Sequence, residues 1–283
     1  MISINESNKK IIEILKKDTP FLISRLGIGA ETYLTYQYLS GLQVNFGHLN
    51  ALSNNAGIYN INKTLRNYLD LYNDCIKNSD FLACYSGSII KEQQLFITKY
   101  GLNILHSRVI EPFYSCLENE KPWTHYLINK KVLIISPFVE SFKKQLANNF
   151  QIFKDPNKKI FLDSQEFIFY KSYQTSAGNH IHSSWLETYN IMISDISKLE
   201  FDIALVSCGG YGLPVCNYIK MNMDKSAIYV GGGLQLLFGV MGKRWENIPM
   251  WNNIIKENDT KFIRPSGDEI MHNNTNIEGG CYW

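Results

Sequence analysis

The sequence lacks the marks of several large classes of protein. Its six cysteines are scattered without CxxC or CxxxH spacing, so we expect neither a zinc site nor a disulfide framework. It has no apolar run long enough to span a bilayer, and its start has the pattern of an amphipathic helix, so we expect no signal peptide. A formal net charge of +2 offers no basic surface for nucleic acid. We therefore expect a cytoplasmic protein with reduced thiols, no transmembrane segment and no nucleic-acid partner; its oligomeric state stays open.

The composition is that of one large folded domain. The chain has 283 residues, of which 45% are hydrophobic, enough for a sizeable core. We predict a single domain over residues 1–283 that opens with an N-terminal helix in residues 1–20, with Ser7 as its N-cap. Residues 246–283 end in Cys-Tyr-Trp. Because such an apolar end is unfavourable in water, we expect this C-terminal segment to dock on the body.

The most informative stretch, residues 201–245, repeats one pattern twice. Residues 203–206 and 227–230 are apolar runs that are too short for helices and rich in β-branched residues, so they predict two buried strands. Each is followed by glycines and then by a helix-compatible segment. Strand, glycine turn and helix in this order predict a Rossmann-like α/β fold, an open and mostly parallel sheet with helices on both faces.

The glycine loops also predict a ligand site. In such sheets ligands bind beyond the carboxyl ends of the strands, where backbone amides and helix N-termini face a phosphate. Tight turns alone would also explain the glycines, but the second loop leads on to Lys243, Arg244 and Trp245, which favours an anion site. The candidate binding residues of the two loops are Gly209, Gly210, Tyr211, Gly231, Gly232 and Gly233.

A third strand-and-glycine unit lies near the N-terminus. Residues 21–24 predict a buried strand, and the loop after it contains Arg25, Gly27, Gly29 and Glu31. Arginine offers a planar fork for phosphate, and the following helix N-terminus adds positive potential. Glu31 is a candidate catalytic base, although a glutamate in a first helical turn is also what an ordinary helix would have.

Two polar loops supply further candidates. Asn55 and Gly57 lie in a loop that we expect either to cap a helix or to contact a ribose or base. His180 and His182 precede a helix predicted from Trp185, and a neutral imidazole is a suitable general base. Ordinary surface histidines are the alternative. Because the two are separated by two positions, they do not share a helix face and do not form a metal site by themselves.

Seven motifs together resemble the glycosyltransferases of the GT-D fold. They are RLGxxxE, NAGIY, PWT, KVLIISPF, FDIALVSCGGYG, GGGLQLLFGVMGKRW and the terminal EGGCYW. The family is found in bacterial glycan clusters and in surface-glycan proteins of large DNA viruses, and some relatives are rhamnosyltransferases. A viral member would be located in the cytoplasm of the host cell. The similarity runs from about residue 21 to residue 283, and its most specific motif adds Gln235 to the binding candidates.

The resemblance implies an enzyme, a hexosyltransferase of the inverting type. Its donor would be a nucleotide-diphosphate sugar, a UDP-sugar such as UDP-L-rhamnose, and its acceptor a glycan hydroxyl in surface-glycan synthesis. Two alternatives stay open: a catalytically inactive module that binds a nucleotide sugar or a glycan, and another Rossmann-type enzyme. Against the latter, no loop has the GxGxxG pattern with an acidic residue about 20 positions on.

One departure from the family concerns a divalent metal, Mg²⁺ or Mn²⁺. Bacterial members have Arg-Phe-Gly-Asp-Gly-Glu, and the resemblance implies that its two carboxylates hold the metal on the donor diphosphate. Here Ile28 stands in place of the aspartate and Glu31 is shifted by one residue. The sequence therefore leaves the metal ligands unassigned.

Overall fold

The protein is a parallel sheet covered by helices. The structure, a computed structural model, describes residues 2–17 and 19–283. The strands of these residues are β1 (Leu22–Arg25), β2 (Phe81–Cys84), β3 (Asn103–His106), β4 (Lys131–Ser136), β5 (Glu166–Lys171), β6 (Ile203–Val206) and β7 (Ser226–Tyr229). They form one sheet of order β3-β2-β1-β7-β6-β4-β5, and every pairing is parallel. The predicted fold class is therefore confirmed.

The helices connect and cover the strands. They are α1 (Ile4–Leu15), α2 (Ala30–Leu39), α3 (Phe46–Asn54), α4 (Leu65–Lys77), α5 (Ile90–Tyr100), α6 (Phe113–Leu117), α7 (Val139–Ala147), α8 (Trp185–Ile196), α9 (Gly212–Met223), α10 (Leu234–Leu237), α11 (Lys243–Glu246) and α12 (Pro249–Asn258). Short 3₁₀ turns follow several strands. In the part of the chain that the structure describes, no helix is long and apolar enough to cross a bilayer.

Both faces of the sheet are buried. Side chains of successive strand residues point to opposite faces, and neighbours in β1 accordingly enter different cores. Leu22 packs in a cluster with helices α4, α8 and α9, while Ile23 packs in a second cluster with α1 and α12. This two-sided burial explains why the strands are continuous apolar runs.

The first helix begins earlier than the sequence predicts. Its N-cap is Ser3, which forms a capping box with Glu6, so the prediction of Ser7 as the cap is wrong. Ser7 lies instead inside α1 and is buried; its hydroxyl donates to the Ser3 carbonyl at 2.7 Å and accepts the His106 amide at 2.9 Å. The reciprocal bonds satisfy the Ser3 and Glu6 amides at the start of the helix.

The C-terminal segment lies against α11. The Arg244 amide donates to the Cys281 carbonyl at 2.9 Å, and the Lys243 amide donates to the Trp283 carbonyl at 3.2 Å. Gly242 makes this approach possible, since a Cβ there would lie 2.4 Å from the backbone of Tyr282. Residues 281–283 are therefore held against the start of α11 by backbone hydrogen bonds.

Candidate functional site

A cleft of about 650 Å³ opens at the carboxyl edge of the sheet. The loops after β1, β2, β3, β6 and β7 form its floor and walls. Because β1 and β7 are neighbours, with Leu22 opposite Ala227, the first and last strands bring their glycine loops together. This is the position where open α/β sheets bind ligands.

Arg25 lies at the junction of the β1 and β7 loops. Its Nη1 donates to the Val230 carbonyl at 2.9 Å, and its Nη2 is hydrogen-bonded to the Tyr85 hydroxyl. Gly231 has φ +69°, and a Cβ there would lie 3.3 Å from Nη1, so glycine gives the guanidinium room. Among the described residues, no carboxylate forms an ion pair with Arg25. Its charge is available to an anionic ligand.

Glu31 occupies the first turn of α2 and folds back over its own loop. A Cβ on Gly27 would lie 3.0 Å from Oε1, and one on Gly29 would lie 3.4 Å from Oε2. These two glycines therefore leave space for the carboxylate. Burial raises the pKa of Glu31 above its ordinary value. A partly buried carboxylate with a raised pKa and, among the described residues, no ion-pair partner is suited to accept a proton.

Three tyrosines surround this carboxylate and link the loops beneath it. The Tyr72 hydroxyl accepts the Gly27 amide at 3.1 Å. Tyr229 donates to the Gly209 carbonyl at 3.0 Å, and Tyr68 donates to the Gly210 carbonyl at 3.1 Å. Burial raises the pKa of each phenol, and the negative charge of Glu31 raises it further. The phenols therefore stay neutral and hold the glycine loops in place.

Two more arginines reach the cleft, but each is paired with a glutamate. Arg108 Nη1 lies 3.3 Å from Glu111. Arg244 is bound to Glu278, and its Nη1 donates to the Tyr282 hydroxyl at 3.0 Å. Pairing with carboxylates reduces the positive potential that these two arginines offer to a ligand, so Arg25 is the principal free cation of the cleft in the described residues.

The cleft unites many of the residues singled out by the sequence. Arg25, Gly27, Gly29, Glu31, Asn55, Gly209, Gly231, Gly232, Gly233, Arg244 and Trp245 all line it. Gly57, Gly210, Tyr211, Gln235, Lys243, His180 and His182 do not. Gly57 and Tyr211 are joined inside the protein, where the Tyr211 hydroxyl donates to the Gly57 carbonyl at 2.9 Å. Lys243 is exposed on α11.

Neither candidate histidine lines the cleft. His180 stacks on Tyr59 with ring centroids 4.0 Å apart and lines a separate surface cavity. His182 Nδ1 lies 3.0 Å from the Thr188 hydroxyl. These contacts hold His180 against the loop between α3 and α4 and His182 against α8, outside the cleft lining.

Sequence analysis did not identify the residues that the loops after β2 and β3 contribute. They are Tyr85, Ser86, Gly87, Ser88, His106, Ser107, Arg108 and Glu111. Ser86-Gly87-Ser88 after an apolar run was a usable signal, since it repeats the strand-and-glycine pattern of the other loops. The β3 loop contains no glycine, and only the sheet order places it at the cleft.

The residues of the cleft do not fit a metal centre held by the protein alone. Within residues 2–17 and 19–283, no group of three His, Cys, Asp or Glu side chains is arranged to hold a metal ion. Ile28, which lines the cleft at 53% exposure, offers no ligand atom. Glu31 would be a single protein ligand, whereas Mg²⁺ and Mn²⁺ prefer several oxygens.

Comparison with known proteins identifies a family for the chain. A family model described as a GT-D fold-like domain matches residues 2–237, which is most of the chain. No curated protein and no solved structure matches the chain significantly. Residues 238–283, which include α11, α12 and the terminal segment, lie beyond the matched range.

Proposed function

The chain belongs to the family of GT-D fold-like domains, which points to a function of glycosyltransferase type, and we propose that it transfers a sugar from a nucleotide-diphosphate donor to a glycan hydroxyl. The donor in this proposal is a UDP-sugar, of which UDP-L-rhamnose is one candidate, and the acceptor belongs to a surface glycan. The observation that carries the proposal is that Arg25 and Glu31 lie in one cleft among the amides of the glycine loops.

Arg25 and the loop amides account for binding of the diphosphate. Backbone amides at the start of a helix attract phosphate oxygens, and a guanidinium binds them with two parallel hydrogen bonds. Gly231, Gly232 and Gly233 bring such amides to the cleft beside Arg25. Together these groups would stabilise the negative charge that develops on the leaving diphosphate.

Glu31 accounts for activation of the acceptor. In the proposed step the acceptor oxygen bonds to the anomeric carbon while the bond from that carbon to the phosphate oxygen breaks. The electron pair leaves with the UDP, and the hydroxyl proton passes to the Glu31 carboxylate. The other two cleft glutamates, Glu111 and Glu278, are paired with arginines. One free carboxylate suits a single displacement, which inverts the configuration of the sugar.

The donor is tested by thermal shift. We expect UDP to raise the melting temperature more than UMP does at equal concentration, because the diphosphate meets both Arg25 and the loop amides. A ligand at 100 times its Kd stabilises the folded state by about 2.7 kcal/mol. Equal shifts with UDP and UMP, or no shift with either, would refute the proposed donor site.

The second candidate is an inactive binding module, because the apolar Ile28 stands in the cleft in place of the family's aspartate. Measurement of turnover distinguishes the enzyme from this module. The assay incubates the protein with a panel of UDP-sugars and an acceptor glycan and measures released UDP. Release above the rate without acceptor supports a transferase. A thermal shift with UDP-sugars but no release with any donor and acceptor supports the binding module.

A further inference from the structure

Helices α2 and α3 form a hairpin beside the cleft, and its composition differs from that of the rest of the chain. Residues 32–62 contain no Asp, Glu, Lys or Arg, although 19% of the whole chain is charged. Charged side chains are the usual surface residues of a folded protein. Both ends of the hairpin adjoin the cleft, since Glu31 in the first turn of α2 and Asn55 directly after α3 line it.

The turn between the two helices exposes two large apolar side chains. We call this turn, residues 40–47, the hairpin tip. Phe46 is 77% exposed and Leu42 is 52% exposed. Val44, halfway between them in sequence, packs against the hydrophobic core instead. Single exposed apolar residues are common, but a phenylalanine and a leucine exposed on one uncharged turn make the tip an apolar projection.

Hydrogen bonds hold the hairpin tip in this shape. The Leu42 amide donates to the Gln37 carbonyl at 2.9 Å, and the Asn45 amide donates to Gln37 Oε1 at 3.2 Å. The Asn45 side chain accepts the Gly47 amide at 2.8 Å and so caps α3. The exposure of Leu42 and Phe46 is therefore a property of an ordered turn.

Two cations contact the tyrosines in the last turn of α2. Arg66 Nε donates to the Tyr38 hydroxyl at 3.1 Å, and Lys91 Nζ lies 5.4 Å from the centre of the Tyr36 ring. Both cations are exposed. Arg66 also lies 3.8 Å from Asp70, but an ion pair between such exposed groups is weak. Tyrosine, lysine and arginine are the side chains that proteins place at the level of lipid headgroups.

A bilayer fits this arrangement better than a protein partner does. A stable protein interface buries about 800 Å² on each side, and two side chains on one turn provide only a small part of that area. A membrane surface needs no matching shape. Apolar side chains enter the boundary of the acyl chains, while neighbouring basic side chains stay with the anionic headgroups.

We propose that the hairpin tip binds the surface of a bilayer that contains anionic lipids, with Leu42 and Phe46 inserted and with Arg66 and Lys91 at the headgroups. Helix α2 has 10 residues, so the tip lies about 15 Å from the start of α2 at the cleft. A substrate anchored in that bilayer would therefore lie within reach of the cleft. The proposal goes beyond the transferase function and is tested without donor or acceptor.

The first experiment measures sedimentation of the full chain with vesicles of phosphatidylcholine, either pure or with about one third phosphatidylserine as the anionic lipid. Leu42→Ser and Phe46→Ser remove the apolar side chains of the tip. Met221→Ser is their control, because Met221 is 54% exposed but lies in the last turn of α9, close to the amino end of β7 and not at the cleft edge. Melting temperature reports folding.

A second set of variants tests the cations. Arg66→Gln and Lys91→Gln remove the charges beside the tip. Lys77→Gln is the control, because Lys77 is also exposed but ends α4, at the opposite end of that helix from Arg66. All the substituted residues are exposed, so the melting temperatures should stay close to that of wild type.

Wild type is expected to bind anionic vesicles more strongly than neutral ones, and added salt should weaken this binding. Each serine variant should bind at least about tenfold more weakly, because a leucine or phenylalanine side chain no longer leaves water. Each cation variant should lose about fivefold on anionic vesicles alone. Both controls should stay within about twofold of wild type.

Insertion is measured directly by fluorescence. Phe46→Trp places an indole on the hairpin tip, and Met221→Trp places one on the control surface. Lipids with brominated acyl chains quench a tryptophan that enters the bilayer. We expect them to quench the added tryptophan at position 46 and to leave the one at position 221 unquenched.

Several results would overturn the proposal. They are no binding to either kind of vesicle, equal binding to neutral and anionic vesicles, and binding that Leu42→Ser and Phe46→Ser leave unchanged. Dimerisation in the absence of lipid that Phe46→Ser abolishes would assign the tip to a second copy of the chain instead. Vesicle binding without any sugar transfer would support the hairpin tip and count against the transferase, so the two proposals fail separately.

Discussion

Glu31 is the residue on which the proposed chemistry depends most. We expect Glu31→Gln to lower turnover by about 10²–10⁴-fold, the usual contribution of a general base. UDP affinity should change little, because the carboxylate has no role in holding the diphosphate. Steady-state release of UDP and calorimetric titration measure the two quantities.

The same variant distinguishes a base from a metal ligand. If Glu31 held a metal on the donor phosphates, the substitution would also weaken UDP binding, and EDTA would inactivate the wild type to a similar extent. Unchanged turnover would instead identify Glu31 as an ordinary helix-start charge. The structure favours the base, since the cleft offers a metal no second free carboxylate among the described residues.

The raised pKa of Glu31 makes a prediction about stability. Burial disfavours its charged form, so the folded protein binds the proton more tightly than the unfolded chain does, and stability from this site falls as the pH rises through the folded-state pKa. Glu31→Gln should therefore melt at a higher temperature than wild type at pH 7.5. The difference should shrink as the pH falls through the folded-state pKa towards the ordinary glutamate value of 4.5. Melting curves at several pH values test this.

A constant difference across that pH range would contradict the effect of burial. It would mean that the substitution changes packing without changing proton binding. Because only the deprotonated carboxylate can take the proton of the acceptor hydroxyl, the raised pKa of Glu31 also predicts that activity falls, on the acidic side, at a higher pH than an ordinary glutamate would give.

At the scale of elements, Arg244 fastens the C-terminal segment to α11. Its guanidinium binds Glu278 and Tyr282 and lies 4.5 Å from the centre of the Tyr282 ring. We expect Arg244→Lys to lower the free energy of unfolding by about 1 kcal/mol, since lysine lacks the planar fork and the pair is partly exposed. Chemical denaturation measures the change.

The neighbouring Lys243 provides the matched control. It is exposed and forms no ion pair with any described residue, so Lys243→Ala should stay within about 0.5 kcal/mol of wild type. Equal effects of the two substitutions would remove the fastening role of Arg244. A loss of UDP affinity in Arg244→Lys without loss of stability would indicate direct phosphate contact.

The 3₁₀ turn after β7 depends on a glycine for packing. A Cβ at Gly233 would lie 2.0 Å from Glu111 Oε1, so Gly233→Ala must displace the Glu111–Arg108 pair. We expect a destabilisation of about 1–3 kcal/mol, as for other overpacked sites. Gly87→Ala is the control, because nothing lies within 4 Å of its added carbon. Equal stability of the two variants would contradict this packing.

At the scale of the whole molecule, the parallel sheet makes the site. All strands end at one edge, so loops that are far apart in the chain meet there without any local attraction between them. The hydrogen bond from Arg25 to Val230 joins residues 205 positions apart. The C-terminal segment then closes one side of the cleft through Tyr282.

The sequence by itself determined the local features. Apolar runs predicted β6 over the observed range and placed β1 and β7 within one residue, because strand formation follows from short-range patterning of buried side chains. Glycines marked the loops after these strands, since backbone amides and close approaches there require small residues. The RLGxxxE loop thus identified Arg25 and Glu31 as candidates before any geometry was known.

The tertiary structure decided which of these features meet. The order of the strands depends on burying both faces of one sheet. This requirement involves the whole chain, so the sequence of a single segment does not determine it. It brought the β2 and β3 loops to the cleft, left His180 and His182 outside it, and buried Gln235 outside the cleft lining. It also paired Arg244 with Glu278. Local chemistry names the side chains, but only the packing of distant segments determines which of them share a site.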